Sequence, residues 1–211
     1  MNKYRIGLSS IILALLARPA SAQDFAATAG LGLEYYNAPS LSQYILNRAG
    51  GVTPGTYMTA VQLGAGIEYF VLEDWTLGIE YGYITNQSNG NGYQISYSYS
   101  MPTIMLRRAL AGDNYYIRFG GGIGYHSFTM SQTDPYGGKT DYSTKGVGLK
   151  FDVAFDTKLS EDFYVRVEGD ARAEYTGNFK AKDLDTTEQN EPTYNSDLSG
   201  VGVTFGLVYY F

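Results

Sequence analysis

The chain has 211 residues, a formal net charge of −6 and no cysteine. The lack of cysteine excludes disulfides, thiolate metal sites and cysteine nucleophiles. The acidic balance leaves no basic patch for nucleic acid. We therefore expect no nucleic acid partner, and we predict no cofactor and assign no metal ligands.

The first residues of the chain predict an export signal. Lys3 and Arg5 precede an apolar stretch that ends at Ala17, and a small-residue cleavage pattern follows. The stretch is too short to cross a membrane comfortably as a helix. We predict a signal peptide at 1–22 and a single exported domain at 23–211.

Eight stretches of the predicted domain alternate in character with a period of two, which indicates strands. One face of each stretch is apolar and aromatic, and the other carries glycine, hydroxyl groups or charges. The predicted strands are 25–36, 58–71, 75–84, 93–106, 115–126, 146–159, 163–175 and 201–211. No apolar run after residue 22 is long enough for a membrane helix, so a closed barrel with its apolar face outward is the remaining way to cross a bilayer.

The first connection, 37–57, contains a predicted helix at 40–50, with Ser40 as N-cap and Gly50 as C-cap. Its apolar residues would be costly in water unless they pack on the barrel mouth, the lipid interface or a partner. Packing over the mouth is the simplest of these three placements.

The fourth predicted strand contains a break in its alternation. Pro102 has no N–H for the strand ladder, so we predict a β-bulge there, after which Ile104 and Leu106 face outward. A turn is predicted at 107–114. Before the bulge, the residues predicted to face outward are Tyr93, Ile95, Tyr97, Tyr99 and Met101, and those predicted to face inward are Gln94, Ser96, Ser98 and Ser100.

The remaining connections alternate in length. Those near Glu73, 107–114 and 160–162 are short, whereas three others are long or polar. Short turns face the periplasm and long loops face outward in bacterial barrels. The further long or polar segments are 85–92, 127–145 and 176–196.

Aromatic residues are predicted to form two bands, one at each rim of the barrel. A soluble barrel such as a lipocalin would have no reason for two outer bands, and would require every strand to be inverted. The periplasmic band is Phe25, Tyr69, Trp75, Tyr115, Phe163, Tyr209 and Phe211. The outer band is Tyr35, Tyr83, Tyr93, Tyr125 and Tyr175.

The predicted inward faces carry many charges. An eight-stranded barrel is just wide enough for side chains to fill, so such charges need partners. We expect a salt-bridged network that fills the barrel, and the alternative is a narrow cation-preferring path, because acidic groups are in excess. The network is predicted to contain Glu34, Glu68, Glu80, Arg118, Lys150, Asp152, Asp156, Arg166, Glu168, Asp170, Arg172 and Glu174, and Lys158 is also predicted to face inward.

His126 is the only histidine of the chain and is followed by Ser127, a pair that raises the possibility of a hydrolase. Successive strand residues point to opposite faces, so this pair cannot bring a nucleophile and a base together. Loop residues such as Ser131 or Asp134 remain open as partners. A hydrogen-bonding role for His126 inside the barrel or at its rim is the simpler hypothesis.

Loop 176–196 is acidic. Asp183-x-Asp185 matches the start of a calcium-binding loop, but Glu188 stands where such a loop needs glycine. With Glu191 nearby, the segment reads as a solvated acidic loop, and divalent-cation binding is the alternative.

The last predicted strand, 201–211, carries the strongest indication of cellular location. Together with the predicted signal and the eight alternating strands, it resembles the small outer-membrane barrels of the OmpA-barrel and OmpX-like group, over the whole predicted domain. The residues that resemble the terminal signal read by the outer-membrane assembly machinery are Val203, Phe205, Leu207, Tyr209 and Phe211.

The resemblance implies an all-β, eight-stranded antiparallel transmembrane β-barrel in a bacterial outer membrane, in contact with its lipid and lipopolysaccharide. Members of the group serve as adhesins, envelope anchors, small channels or lipid-modifying enzymes. We predict a non-enzymatic structural or surface-interaction role through loops 37–57, 127–145 and 176–196. The alternatives are a narrow cation-preferring channel and, third, a lipid A-modifying enzyme.

Overall fold

The computed structural model describes residues 25–49, 58–181, 194–195 and 198–211, and the predicted signal peptide at 1–22 lies outside them. In this part of the chain no helix is long and apolar enough to cross a membrane. The elements are β1 (Phe25–Asn37), α1 (Pro39–Ala49), β2 (Met58–Leu72), β3 (Trp75–Gly90), β4 (Tyr93–Ala111), β5 (Tyr115–Thr133), β6 (Lys139–Lys158), β7 (Phe163–Thr176), β8 (Asn178–Ala181), β9 (Tyr194–Asn195) and β10 (Ser199–Tyr210).

Eight of these strands close into an antiparallel barrel. Strands β1 to β7 pair with one another in chain order, and β10 pairs with both β7 and β1. The closing seam is regular, from Ala26 opposite Tyr210 to Asn37 opposite Ser199. The short strands β8 and β9 extend the sheet beside β6. The predicted fold class, including closure of the barrel by the last strand, is confirmed.

The outer surface of the barrel is apolar. Side chains such as Leu33, Ile79, Phe151 and Phe205 are between 62% and 65% exposed, although each lies in the middle of a regular strand. Such a surface is unfavourable in water but matches the hydrocarbon core of a bilayer. The alternation predicted for these strands therefore has its apolar face directed to lipid.

Strand connections define two ends of the barrel. The turn end, with Phe25 and Phe211, has tight connections at 73–74, 112–114 and 159–162. The other end, here called the loop end, carries α1, the β3–β4 and β5–β6 hairpins, and β8 with β9.

Aromatic contacts mark the turn end. Phe25 lies 4.9 Å from Tyr69 and 6.0 Å from Phe211 between ring centroids, and Phe163 lies 4.8 Å from Tyr209. At the loop end Tyr35, Tyr125 and Tyr175 are exposed as predicted. Tyr93 is the exception, because it lies on the inner side of its hairpin and packs against buried apolar residues.

The predicted orientation of the first half of β4 is wrong. Ile95, Tyr97, Tyr99 and Met101 are buried in the lumen, and the serines between them lie on the outer face. The predicted bulge is also absent, since β4 keeps one register with β3 along its length and the same register with β5 on either side of Pro102. The two residues 101 and 102 simply lack a β5 pairing, as expected where proline cannot donate.

The register irregularity between β2 and β3 lies instead near their turn, between Phe70 and Leu72.

Two segments predicted as loops are largely strand. In 85–92 the chain forms a two-residue turn at Asn91 and Gly92, both with positive φ, as the tight hairpin turn with this dipeptide requires.

Segment 127–145 is a hairpin as well, with only 134–138 outside β5 and β6. Through these two hairpins at the loop end, strands β3 to β6 extend beyond the lipid-facing part of the barrel as a four-stranded sheet, which we call the extension.

At the turn end, β4 continues to Ala111, so the predicted turn at 107–114 begins too early.

Candidate functional site

The lumen near the turn end is filled by an ionic layer centred on Glu68. Its carboxylate accepts hydrogen bonds from Arg118 and from Arg166, the latter with Nη1 at 3.0 Å from Oε1, and Arg107 Nη1 lies 3.4 Å away. Asp156 bridges two of these cations, because Arg166 Nε lies 2.7 Å from its Oδ1 and Arg118 Nε lies 3.0 Å from its Oδ2. Three guanidinium groups and two carboxylates therefore close the lumen at this level.

The same layer continues around Lys150. Its Nζ lies 2.7 Å from Glu168 Oε1, 2.8 Å from Glu80 Oε2 and 3.5 Å from Asp152 Oδ2. Arg107 also donates to Asp152 and to Glu80. The three carboxylates have oxygen atoms within 4.8 Å of one another. Carboxylates this close repel one another unless a positive charge lies between them. Here the Lys150 ammonium supplies the positive charge.

A second ionic group lies nearer the loop end. Arg172 joins Glu34 and Asp170, each at 2.8 Å. Gly202 of β10 makes room for them, since a side chain added there would come within 2.5 Å of Glu34 Oε1 and 2.9 Å of Asp170 Oδ1. The inward glycine of the last strand is thus required by the charges of its two neighbouring strands.

His126 lies between the ionic and apolar parts of the lumen. Its Nδ1 is 2.7 Å from Glu174 Oε2, its Nε2 is 3.1 Å from Thr103 Oγ1, and Tyr99 donates to the same Glu174 oxygen at 3.0 Å. Ser127 is on the opposite face of β5, as the alternation predicts.

The chain Thr103–His126–Glu174 has the order of a nucleophile, a base and an acid, but all three side chains are at most 4% exposed. Among the described residues, the group is therefore enclosed within the lumen. Of the other candidate partners, Ser131 bonds to Asp141 and Asp134 accepts from the backbone of its own turn. The contacts of His126 are those of a hydrogen-bonded interior residue.

The lumen at the loop end is closed by an apolar plug. Helix α1 inserts Leu41, Tyr44 and Ile45, each at most 1% exposed, into the barrel mouth. They pack with inward residues of the extension, including Tyr97 and Phe128, whose ring centroids are 5.9 Å apart. The predicted helix therefore covers the mouth.

The helix begins at Pro39, so its N-cap is Ala38, two residues before the predicted N-cap, Ser40. Its first backbone bond runs from Ser42 N to Ala38 O. The predicted C-cap, Gly50, lies outside the described residues.

A cavity of about 50 Å³ remains between the ionic groups and is lined by Gln62, Thr103, His126 and Thr204 among others. The buried oxygens of Gln62 and Thr204 have no hydrogen-bond partner among the described residues. A cavity of this size and polarity suits one or two water molecules. A cavity of this volume is too small to form a continuous aqueous path.

All twelve residues predicted for the interior network lie in the lumen, and eleven of them are buried while Glu80 is 13% exposed at its side chain. Lys158, by contrast, is exposed at the turn end. The acidic residues Asp183, Asp185, Glu188 and Glu191 lie outside the described residues.

Arg107 is a charged residue of the ionic layer that was not predicted from the sequence. It is fully buried and contacts Glu68, Glu80 and Asp152. The signal in the sequence was the alternation, because Ile104 and Leu106 were predicted to face outward and the next residue then faces inward. Gly120 of β5, directly opposite, leaves the space that the Arg107 side chain fills.

Solved structures with the same architecture are small outer-membrane barrels. OprG from Pseudomonas aeruginosa shares 16% identity at a TM-score of 0.60, with 90% of this chain and 96% of that chain covered. Ail, the attachment invasion locus protein of Yersinia pestis, in complex with the heparin analogue sucrose octasulfate, shares 10% identity at a TM-score of 0.57, with 90% and 100% covered.

Neisserial surface protein A shares 12% identity at a TM-score of 0.53, with 92% and 100% covered. No protein-family model and no curated protein matches the sequence. At these identities the likeness concerns the fold, and it defines the chain as an eight-stranded transmembrane β-barrel of the outer-membrane type.

Proposed function

We propose that this chain is a sealed barrel of the bacterial outer membrane whose contacts with other molecules are made at its loop end. The observation that carries this proposal is the filled lumen, in which the ionic layer around Glu68 and Lys150 and the apolar plug under α1 follow one another along the axis. A lumen that is filled at two successive levels is a poor path for ions or solutes. Its extension and α1, in contrast, are presented on one side of the membrane.

The predicted cation-preferring channel is the weaker alternative. Within the described residues the interior acids are paired with Arg or Lys or hydrogen-bonded to His126, so a permeating ion would have to displace a buried partner at each level. Purified protein in planar bilayers is therefore expected to give no discrete conductance steps. Reproducible cation-preferring steps from preparations whose unboiled gel migration shows a folded barrel would overturn the sealed barrel.

A lipid A-modifying activity finds no support in the buried surroundings of His126. We propose that the chain is not an enzyme and that His126 supports the interior. Lipid A from cells that express the chain should be indistinguishable from that of cells carrying an empty vector.

The terminal strand exposes its outward residues on the lipid face, and we propose that the assembly machinery recognises them before insertion. These residues are Val203, Phe205, Leu207, Tyr209 and Phe211.

The orientation in the membrane can be tested with single cysteines, because the chain has none of its own. Tyr136 lies in the β5–β6 turn at 97% exposure, and Glu161 lies in an exposed turn at the opposite end. On intact cells a membrane-impermeant maleimide should label Tyr136→Cys, and should label Glu161→Cys only after lysis. Labelling of Glu161→Cys on intact cells with Tyr136→Cys protected would contradict the proposed orientation.

Ail binds a sulfated saccharide analogue, which shows that a barrel of this fold can carry a surface ligand. For the present chain we propose surface recognition without a preference for polyanions. Its net charge is −6, and the described loop end carries few cations, among them Arg48, Lys139 and Lys145.

A further inference from the structure

The outer face of the extension has an unusual composition. It consists of the outward residues of 85–89, 94–100, 127–133 and 139–145, and we call it the hydroxyl face. Except for Lys139, Asp141 and Lys145, every outward residue in these segments is Ser, Thr, Asn or Gln. A sheet face exposed only to water is usually protected by charges against edge or face association. This face is instead almost neutral and rich in hydrogen-bonding groups.

The registers of β3 to β6 arrange these groups in rows across four strands. Neighbouring hydroxyls bond to one another, as Ser98 and Thr129 do at 2.8 Å. Each hydroxyl has one donor and two acceptor positions, so such a pair still leaves capacity toward solvent. The two central rows are Thr85, Ser98, Thr129, Ser143 and Gln87, Ser96, Ser131, Asp141.

The hydroxyl face contains a groove of about 330 Å³. Its lining residues include Thr85, Ser96, Ser98, Thr129 and Asp141, and also Tyr83. Neutral hydroxyls, one carboxylate and an aromatic ring are the groups that hydrogen-bond and stack against sugar rings. Phosphate or sulfate groups would require a cluster of Arg or Lys, and the groove has none among its lining residues.

The hydroxyl face continues directly from the lipid-facing surface. The next outward row toward the turn end includes Tyr81, Tyr125 and Val147, which are between 41% and 61% exposed. Ser100 donates to the hydroxyl of Tyr81 at 2.7 Å, so the two surfaces meet at this tyrosine. A glycolipid whose chains cover the apolar row would bring its saccharide alongside the hydroxyl face.

We propose that the hydroxyl face binds the uncharged sugars in the core saccharide of glycolipids in the surrounding leaflet. The proposal rests on the outer-membrane placement argued above, where that leaflet carries lipopolysaccharide. Serines and threonines of β3 to β6 exchange hydrogen bonds with sugar hydroxyls, and Tyr83 provides a stacking surface. The chain thereby holds a shell of membrane-attached sugar on one side of the barrel.

The test compares the thermal unfolding of the purified barrel in two kinds of vesicle, followed by gel migration. One contains lipopolysaccharide with its complete core saccharide, and the other contains lipid A without core sugars. The altered protein carries Ser98→Ala, Thr129→Val and Ser131→Ala, which remove central hydroxyls with little change of shape. The matched control carries Thr59→Val and Thr157→Val, two exposed outward threonines outside the hydroxyl face.

The unaltered protein and the control should unfold about 3 °C or more higher with the complete saccharide than without it, a shift expected for a gain of about one net hydrogen bond in a chain of this size. The triple variant should lose that difference and unfold equally in both vesicles. Equal unfolding of the unaltered protein in the two vesicles, or a difference that survives in the triple variant, would overturn the proposal.

A third arm separates bound leaflet lipid from sugar in solution. Free core oligosaccharide added to the barrel in phosphatidylcholine vesicles should produce a much smaller shift at an equal sugar concentration, and an equal shift would reject the leaflet as the source. Failure of the chain to give a folded, heat-modifiable band in any vesicle would reject the barrel placement itself. Folding without a saccharide effect rejects only the hydroxyl-face proposal.

Discussion

Lys150 has a strong influence on the stability of the lumen because three carboxylates converge on its ammonium. Replacing it by methionine leaves Glu80 and Asp152 with Arg107 alone, and leaves Glu168 with only Arg166 at 3.9 Å. Removing one member of a buried ion network typically costs about 3–5 kcal/mol. We therefore expect Lys150→Met to lower the free energy of unfolding by an amount in that range, measured by urea titration in vesicles through the fluorescence of Trp75, the single tryptophan.

Lys158 provides the matched control on the same strand. It is exposed at the turn end and makes no ion pair within the described ranges. Lys158→Met should change the free energy of unfolding by no more than about 0.5 kcal/mol. Equal losses for the two variants would show that the charge of β6, and not the convergence of carboxylates on Lys150, stabilises the barrel.

At the residue scale, the alternation of strand residues is enough to predict most of the ionic network from the sequence. The charges of β7 occupy every second position. Once the inward face of this strand is assigned correctly, Arg166, Glu168 and Asp170 all lie in the lumen. The pairings could not be predicted in the same way, because they depend on which strands face one another across the barrel. Glu68 and Arg166, for example, come from β2 and β7, which are not neighbours in the sheet.

At the element scale, β4 shows why an alternating pattern can be assigned the wrong way round. The pattern identifies two faces, but the choice between them assumes that the apolar face meets lipid. That assumption fails once the strand rises above the membrane, where the interior is apolar and the outside meets water and polar groups. Tyr97 and Tyr99 therefore face inward, although Ile104 and Leu106 of the same unbroken strand face lipid.

Helix α1 is expected to loosen independently of the barrel when its buried residues are truncated. Leu41→Ala combined with Ile45→Ala removes apolar contacts in the mouth, at a cost of about 2–5 kcal/mol for each fully buried side chain. Amide hydrogen exchange of 39–49 should accelerate strongly, while the gel migration of the folded barrel stays unchanged. Asn47→Ala, on the exposed side of the helix, is the control and should leave the exchange of these amides unaffected.

Unchanged exchange in the double variant would show that the contacts of α1 with β3, β4 and β9 hold the helix without its apolar anchors. Loss of the folded band would show instead that the apolar plug and the barrel form one cooperative unit. Either result would contradict the expected independence of the helix.

At the scale of the whole molecule, the membrane belt can be tested with two positions on the same side of the barrel. Phe151 lies in the middle of β6 and Leu159 lies just beyond its end, with exposures of 62% and 68%. An arginine on the lipid face costs about 2–4 kcal/mol at the bilayer midplane but about 0–1 kcal/mol near the interface. Phe151→Arg should therefore destabilise the barrel in vesicles by roughly that larger amount, and Leu159→Arg should have little effect.

The same pair of substitutions distinguishes a lipid belt from an apolar surface in water. In water neither arginine would carry a depth-dependent cost, so equal effects on the urea-unfolding free energy would contradict the transmembrane placement. The similar exposure of the two starting residues makes the comparison a measure of depth.

The whole architecture was predictable because eight alternating stretches repeat one simple constraint along the chain. The hairpins of the extension were missed because their outer faces are polar, as those of loops are. Asn91-Gly92 indicates the turn, but it does not show how far the two strands continue on either side.

The rows of the hydroxyl face have a consequence for how the extension finds its alignment. A slip of two residues between β4 and β5 would place serine beside threonine or serine again, so the outer surface scarcely distinguishes the correct alignment from its neighbours. The inner surface does distinguish them, because Tyr97, Tyr99, Phe128 and Met130 differ in size and fit a single arrangement. Because the outer face is chemically uniform, the buried side chains of the apolar plug determine the strand register. The side chains that close the mouth therefore also fix the alignment of the outer sheet.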